Sequence, residues 1–168
     1  MMKPLFRQAQ DTDLPAVADI LAKAVETMLA EGKRQWTREY PNATHVRADI
    51  AAGTAFVLES EGRVVGYAAV VLDGEPAYAD IDGEWQGEGP YVAAHRFAVL
   101  REEKRRGLGL ALLSAIEEYG RGKGAVSFRI DTNYDNTAML GLLRKAGFGF
   151  RGEVRYPQGK RLAFEKLL

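Results

Sequence analysis

Apolar residues recur at two spacings along the chain, which predicts both strands and helices. The run at residues 5–9 predicts a short strand, and residues 11–13 supply a polar cap for a helix that should end before Gly32. A second short helical stretch runs through Val46 and Ile50. The buried stripe of the first helix is predicted at Leu14, Val17, Ile20, Leu21 and Val25.

A hairpin and a loop are predicted next. Residues 54–58 and 64–72 are rich in β-forming residues, and the turn between them contains Glu61 and Gly62. Residues 73–90 have the glycines and prolines of a loop. This segment carries Tyr78 and Trp85 among four acidic residues, Asp80, Asp82, Glu84 and Glu88.

The second half of the chain alternates strands and helices. Tyr91–Val99 is almost wholly apolar, which is typical of a strand covered on both faces; His95 and Arg96 interrupt it and should point to opposite faces. A helix follows at residues 108–119, then a strand through Phe128 to Asp131. Asp135 or Asn136 should cap another helix, Gly147 should end it, and residues 150–154 and 161–166 close the chain as strands.

The turn between the strand and the first of these helices predicts an anion site. It reads Lys104-Arg105-Arg106-Gly107-Leu108-Gly109-Leu110. The first amides of a helix have no partner inside it and carry partial positive charge, and glycines let a phosphate approach the backbone closely. The alternative is a set of solvated cations before an ordinary helix. Leu112 replaces the third glycine of a dinucleotide fingerprint, and no P-loop lysine is present.

Composition narrows the function classes. The 168 residues suit a single domain spanning residues 1–168, and 23 acidic residues balance 23 basic ones, which disfavours nucleic acid and anionic membranes as partners. No run reaches the ~20 apolar residues needed to span a bilayer. The absence of cysteine fits a cytoplasmic protein, and two isolated histidines, His45 and His95, predict no metal site.

The order of motifs resembles the GNAT family of N-acetyltransferases. Phe97-Ala98-Val99, the basic glycine turn, Asn136 and Lys145-Ala146-Gly147-Phe148 carry the resemblance over roughly residues 91–150. It implies an α/β (α+β) fold with a mixed, mainly antiparallel central sheet flanked by helices on both faces. It also implies that acetyl-CoA is the co-substrate.

The resemblance assigns the coenzyme contacts. The edge of the strand at Phe97, Ala98 and Val99 would hydrogen-bond the pantetheine arm, and Asn136 would lie beside it. The pyrophosphate would bind the turn, formed by Lys104, Arg105, Arg106, Gly107, Leu108, Gly109 and Leu110. Lys104 replaces the usual first residue of the turn, a mild change. Leu143 stands where many members have a tyrosine that protonates the departing thiolate, so Tyr134 or water would have to serve.

His95 is the candidate general base. Transfer to an amine requires the neutral amine, and deprotonating a lysine-like amine at pH 7 costs about 4.6 kcal/mol. An imidazole can accept that proton, and strand alternation predicts that His95 shares a face with Ala93, Phe97 and Val99. The alternative is a histidine hydrogen-bonded within the sheet. Asp131 could cap a turn or orient His95 or Arg129, and the Val99 amide could stabilise the carbonyl oxygen.

The predicted function is N-acetylation of a primary amine, on a small molecule or an exposed amino group. Trp36, Tyr40 and Trp85 are the candidate acceptor contacts, and with the acidic loop they favour a cationic or aromatic amine. The alternative is an acyl-CoA-binding sensor or regulatory module without turnover, which Leu143 makes worth weighing. The sequence leaves a homodimer open.

Overall fold

The computed structural model describes residues 3–101 and 107–168, and the helices and strands of these residues follow the predicted order. The helices are α1 (Leu14–Ala30), α2 (Ala43–Ala52), α3 (Pro76–Ala79), α4 (Leu108–Gly122) and α5 (Thr137–Lys145), and a single 3₁₀ turn (Asp11–Asp13) precedes α1. The strands are β1 (Leu5–Gln8), β2 (Ala55–Ser60), β3 (Arg63–Leu72), β4 (Asp82–Gly83), β5 (Tyr91–Val99), β6 (Ser127–Thr132), β7 (Gly149–Tyr156) and β8 (Gly159–Leu167).

The strands form one mixed sheet in the order β1-β2-β3-β5-β6-β8-β7-β4. Strand β5 pairs with β6 in parallel, whereas β1 with β2, β2 with β3, β6 with β8 and β7 with β8 are antiparallel. The prediction of a mixed, mainly antiparallel sheet flanked by helices is therefore confirmed. None of the described helices is both long and apolar enough to cross a membrane.

The chain divides into two compact units. Unit 1 comprises Met1–Val70 and Arg96–Leu112, and unit 2 comprises Val71–His95 and Leu113–Leu168. That both belong to one domain stays a prediction.

Unit 1 is built on the stripe predicted for α1. Val17, Ile20, Leu21 and Val25 are all buried. Asn42 caps α2, because its side-chain oxygen accepts a hydrogen bond from the Thr44 amide at 3.0 Å, and Gly53 ends that helix at φ +75°.

The core of unit 2 combines residues of α3 and of the strands β5, β7 and β8. Tyr78, Tyr91, Ala93, Val154 and Ala163 form one buried cluster. Asn136 caps α5 by accepting a hydrogen bond from the Met139 amide at 3.2 Å, which resolves the choice between Asp135 and Asn136. Gly147 follows the end of that helix at φ +89°, as predicted.

The interpretation of residues 73–90 as an unstructured loop is wrong in part. Helix α3 forms because Pro76 suits the first helical position and the Glu75 side chain caps it, accepting from the Ala77 amide at 3.4 Å. Strand β4 pairs with β7 at Gly83 and Gly152. A Cβ on Gly83 would clash with the backbone of Arg151, so this pairing requires glycine.

Glu165 fixes the end of this segment to the sheet. Its fully buried carboxylate accepts from the amides of Gln86 and Gly87 and from the guanidinium groups of Arg129 and Arg151. Burial alone would raise the pKa of Glu165, but these hydrogen bonds outweigh burial and lower it.

We expect Glu165→Gln to destabilise the protein by about 3–5 kcal/mol at pH 7, because the buried guanidinium of Arg129 and the half-buried one of Arg151 lose their charged partner. A lowered pKa in the folded state contributes stability above the unfolded pKa of about 4.3, and this stability is lost as the pH falls through the folded value. Urea unfolding between pH 7 and pH 3 should therefore show a shallower acid loss for the variant. Parallel curves for variant and wild type would contradict this role.

Candidate active site

Strand β5 has its parallel partner over only part of its length. Among the described residues, β5 and β6 pair at Tyr91, Val92 and Ala93, opposite residues 127–129. Residues 97–99 lie beyond that pairing. The predicted pantetheine contacts Phe97, Ala98 and Val99 therefore lie on a stretch of strand with an edge that β6 does not fill.

A β-bulge at Arg96 changes which edge each residue of β5 faces. The Tyr91 carbonyl accepts from the Asp73 amide just after β3, and the Leu100 amide donates to the Val65 carbonyl on β3, both at 2.9 Å. Regular alternation cannot direct both residues toward β3, because the separation of Tyr91 and Leu100 is odd. Arg96 has φ +53°, the left-handed conformation of a residue inserted into a strand.

The bulge directs the Val99 amide toward the edge of β5 that, among the described residues, has no pairing with β6. Since the Leu100 amide faces β3, the amide one residue earlier faces away from it. The same inserted residue breaks the alternation that was predicted to place His95 on the same face as Phe97 and Val99. That part of the argument for His95 is wrong.

The predicted anion site is described only from Gly107 onward. Gly107 has φ +79° and open space around the position of a Cβ, and the Ala111 amide donates to its carbonyl at 2.9 Å. Helix α4 begins at Leu108, so its first amides include those of Gly109 and Leu110. Lys104, Arg105 and Arg106 lie outside the described residues.

Arg96 belongs to a charged network in unit 1. Its guanidinium donates to both carboxylate oxygens of Asp49, at 2.8 and 2.6 Å, and to the Tyr40 hydroxyl at 2.9 Å. Asp49 is 6% exposed and also accepts from the hydroxyl of the fully buried Tyr67. Burial and this hydrogen bond raise the pKa of Tyr67 far above its usual value, so its hydroxyl remains a donor.

His95 lies in a second cluster, in unit 2. Its Nε2 atom is 3.0 Å from a carboxylate oxygen of Glu75, but within the described structure this buried nitrogen has no partner that satisfies hydrogen-bond geometry. The Tyr78 ring is 6.2 Å from the imidazole, centroid to centroid. A buried polar atom of this kind calls for an explanation, and the choice between a catalytic and a structural His95 stays a prediction.

Asp131 binds two tyrosines. One of its oxygens accepts from the hydroxyls of Tyr78 and Tyr156, at 2.7 and 2.8 Å. Burial, followed by the charge of Asp131, raises the pKa of Tyr78 well above its usual value, which keeps this phenol protonated. These two contacts of Asp131 differ from the predicted alternatives of a turn cap or a partner for His95 or Arg129.

The predicted acceptor residues and the two residues considered for the general acid differ in exposure. Trp36 is 6% exposed and belongs to the core of unit 1, whereas Tyr40 is 39% exposed. The Trp85 ring stacks under the Arg129 guanidinium at 4.5 Å, and its Nε1 donates to the Tyr78 carbonyl. Leu143 is fully buried and Tyr134 is 74% exposed.

Sequence reasoning missed Asp49, Tyr67, Glu75 and Tyr156. Arg96 gave the one usable signal, because a charge in a covered strand must have a partner. Asp49 lies on α2 and is one of 23 acidic residues in the chain. Nothing in the sequence distinguishes it from the others as the partner of Arg96.

Comparison with known proteins gives the class and the family. The sequence profile of the Acetyltransferase (GNAT) family matches residues 19–148. The aminoglycoside N(6')-acetyltransferase type 1 of Klebsiella aerogenes is 32% identical over 103 residues, 56% of this chain and 68% of that protein.

Two solved structures share the fold. A GNAT-family acetyltransferase from Streptococcus agalactiae superposes with a TM-score of 0.89 at 29% identity, covering 98% of this chain and 95% of that one. The PaiA N-acetyltransferase of Thermoplasma acidophilum, solved in complex with coenzyme A, has a TM-score of 0.72 at 15% identity, covering 99% and 100% of the two chains.

By class, then, the protein is an acyltransferase whose co-substrate is an acyl-CoA. The chain belongs to the GNAT family of acetyltransferases. Membership of an enzyme family favours turnover over the alternative of a sensor that only binds the coenzyme.

We expect His95→Ala to lower kcat by about 10²–10⁴, because the amine would lose its proton acceptor, while coenzyme A binding stays unchanged. Steady-state kinetics and titration calorimetry measure the two effects. Wild-type turnover at every pH would show that the imidazole takes no part in proton transfer.

Proposed function

We propose that this chain transfers an acetyl group from acetyl-CoA to a primary amine of a cationic acceptor. The observation that carries the proposal is the edge of β5. After Ala93 the strand has no pairing with β6 in the described structure, and the bulge at Arg96 turns the Val99 amide to that side. An unpaired strand edge suits the amide groups of a pantetheine arm.

The start of α4 supports binding of the diphosphate. Its first amides and the conformation of Gly107 allow an anion to approach the backbone, and Lys104, Arg105 and Arg106 add positive charge in the sequence. Each charge-assisted hydrogen bond contributes roughly 1.5–3 kcal/mol. Gly109, Leu108 and Leu110 would bind through their amides. Asn136, which caps α5, would lie beside the pantetheine.

The proposed reaction makes one bond and breaks one. The neutral amine attacks the thioester carbonyl, so that an N–C bond forms and the C–S bond breaks, and coenzyme A leaves as a thiolate. His95 accepts the proton that the amine loses. The Val99 amide donates to the carbonyl oxygen as negative charge develops there.

A cationic acceptor is supported by charge and by one relative. Asp80, Asp82, Glu84 and Glu88 are exposed side chains of the segment that Glu165 holds in place. The curated relative from Klebsiella aerogenes is named for acetylating an amino group of an aminoglycoside, a polycationic amino sugar. Tyr40, Trp36 and Trp85 remain the candidate acceptor contacts, with Tyr40 the most exposed of them.

A thiol-release assay tests the proposal. Purified protein and acetyl-CoA would be mixed with aminoglycosides, linear diamines, neutral aromatic amines and peptides with a free N-terminus, and each product identified by mass. We expect turnover with the polycationic amines and an added acetyl group on nitrogen. Turnover only with neutral amines would overturn the acceptor class, and acetyl-CoA binding without turnover on any amine would overturn the reaction.

A charge in the helix start tests the diphosphate site. We expect Gly109→Glu to weaken coenzyme A binding by at least about tenfold, because a carboxylate would repel the diphosphate from amides that favour anions. Titration calorimetry measures the affinity.

Gly141→Glu is the matched control, since Gly141 is an exposed glycine within α5 with open space around it. Its affinity for coenzyme A should equal that of the wild type. Equal affinity in both variants would place the diphosphate elsewhere.

A further inference from the structure

We infer that Arg96 is a positioning residue, which holds the bulge of β5 through Asp49 and thereby keeps the Val99 amide aimed at the acyl oxygen. The inference rests on the proposed function and assigns a role to Arg96, Asp49 and Tyr67. It does not place the guanidinium in contact with either substrate.

The backbone at Arg96 needs an external restraint. A residue with a Cβ at φ +53° is in a conformation that glycine adopts readily and other residues resist. Such outliers persist where the surrounding structure fixes them, and they gather at functional sites. Without a restraint, β5 would return to regular alternation, and the Val99 amide would face β3.

The restraint is the bidentate pair with Asp49. Both guanidinium–carboxylate hydrogen bonds are shorter than 3.0 Å, and the planar fork of arginine fixes orientation as well as distance. Asp49 is itself held, because it is buried on α2 and accepts from the Tyr67 hydroxyl. Burial alone would lower the pKa of Arg96, but its partners raise it, so the charge that the pair requires is always present.

The guanidinium has a third contact, with one of the candidate acceptor residues. Its Nη1 donates to the hydroxyl of Tyr40, the exposed member of the predicted acceptor contacts. One side chain therefore links a candidate acceptor contact, helix α2 and the bulge within unit 1. Three of the five N–H groups of Arg96 therefore bind protein oxygens, which argues against a role as a direct ligand.

Two substitutions at residue 96 separate the effect of losing the bulge from the effect of losing the guanidinium charge. Arg96→Ala and Arg96→Gly both remove the guanidinium, but only glycine adopts a positive φ without a Cβ penalty. We expect Arg96→Ala to lower kcat by about 10²–10³, the loss typical of one oxyanion donor, with a smaller change in KM for acetyl-CoA. Arg96→Gly should recover at least about tenfold of that loss, and its crystal structure should retain the left-handed φ at residue 96.

Arg7→Ala is the matched control for losing an ion pair. Arg7 also donates to both oxygens of a buried aspartate in unit 1, Asp13, at 2.8 and 3.0 Å, but lies on β1. This variant should lose thermal stability and keep the wild-type kcat. If Arg96→Ala does not fold, Asp49→Asn provides the milder variant, with the same direction of change in kcat.

The outcomes separate this inference from the proposed function. Equal kcat in the alanine and glycine variants, both well below wild type, would show that the guanidinium itself acts, and a wild-type kcat for Arg96→Ala would make the network purely structural. Either result overturns the inference. If the wild-type chain acetylates no amine, the proposed function fails, while the φ of residue 96 in the crystal structures of the variants still tests whether the pair holds the bulge.

Discussion

A strand can satisfy its backbone on both edges only while it has a neighbour on each, and among the described residues β5 has no pairing with β6 after Ala93. The amides beyond that point need another partner. Three residues beyond that point, Ala94, Ala98 and Leu100, are buried, and beside them water is a poor substitute for a strand. An extended ligand with amide groups of its own meets the requirement, and this single constraint relates the fold to the chemistry of an acyl-CoA.

Two buried carboxylates organise the two units in the same physical way. Asp49 in unit 1 and Glu165 in unit 2 each bind a guanidinium and at least one further donor. Replacing such pairs with apolar residues is often neutral or favourable for stability, so stability alone does not explain them. What each provides is a defined geometry: Asp49 restrains the bulge of β5, and Glu165 fixes residues 86 and 87 against the sheet.

The sequence allowed most of the fold to be predicted because the fold depends on local signals. The stripe of α1, the caps of α2 and α5, and the apolar run of β5 are each visible within a few neighbouring residues. Helix α3 and strand β4 were missed because a four-residue helix has too little periodicity, and a two-residue strand exists only through its pairing with β7.

Only those parts of the site that depend on local backbone conformation could be predicted from the sequence. Gly107 and the end of β5 could be found from the order of residues. A glycine turn before a helix leaves the first amides of the helix accessible to an anion in any fold. The bulge at Arg96 could not be found, because regular alternation is the default expectation for an apolar strand and the restraint comes from Asp49, on another element. The contacts of Glu75 and Asp131 could not be predicted for the same reason, since their partners are distant in sequence.

For acetyl transfer, the lack of a tyrosine at Leu143 matters less than the presence of a general base. The free energies of the two proton transfers show why. At pH 7 an amine of pKa near 10.4 must lose a proton at a cost of about 4.6 kcal/mol before it can attack. A thiolate whose conjugate acid has a pKa near 8.5 gains only about 2 kcal/mol from protonation at that pH, and it can leave unprotonated. On the proposed function, a chain with an imidazole at His95 and a buried leucine where an acid is usual would therefore retain the more demanding of the two proton transfers.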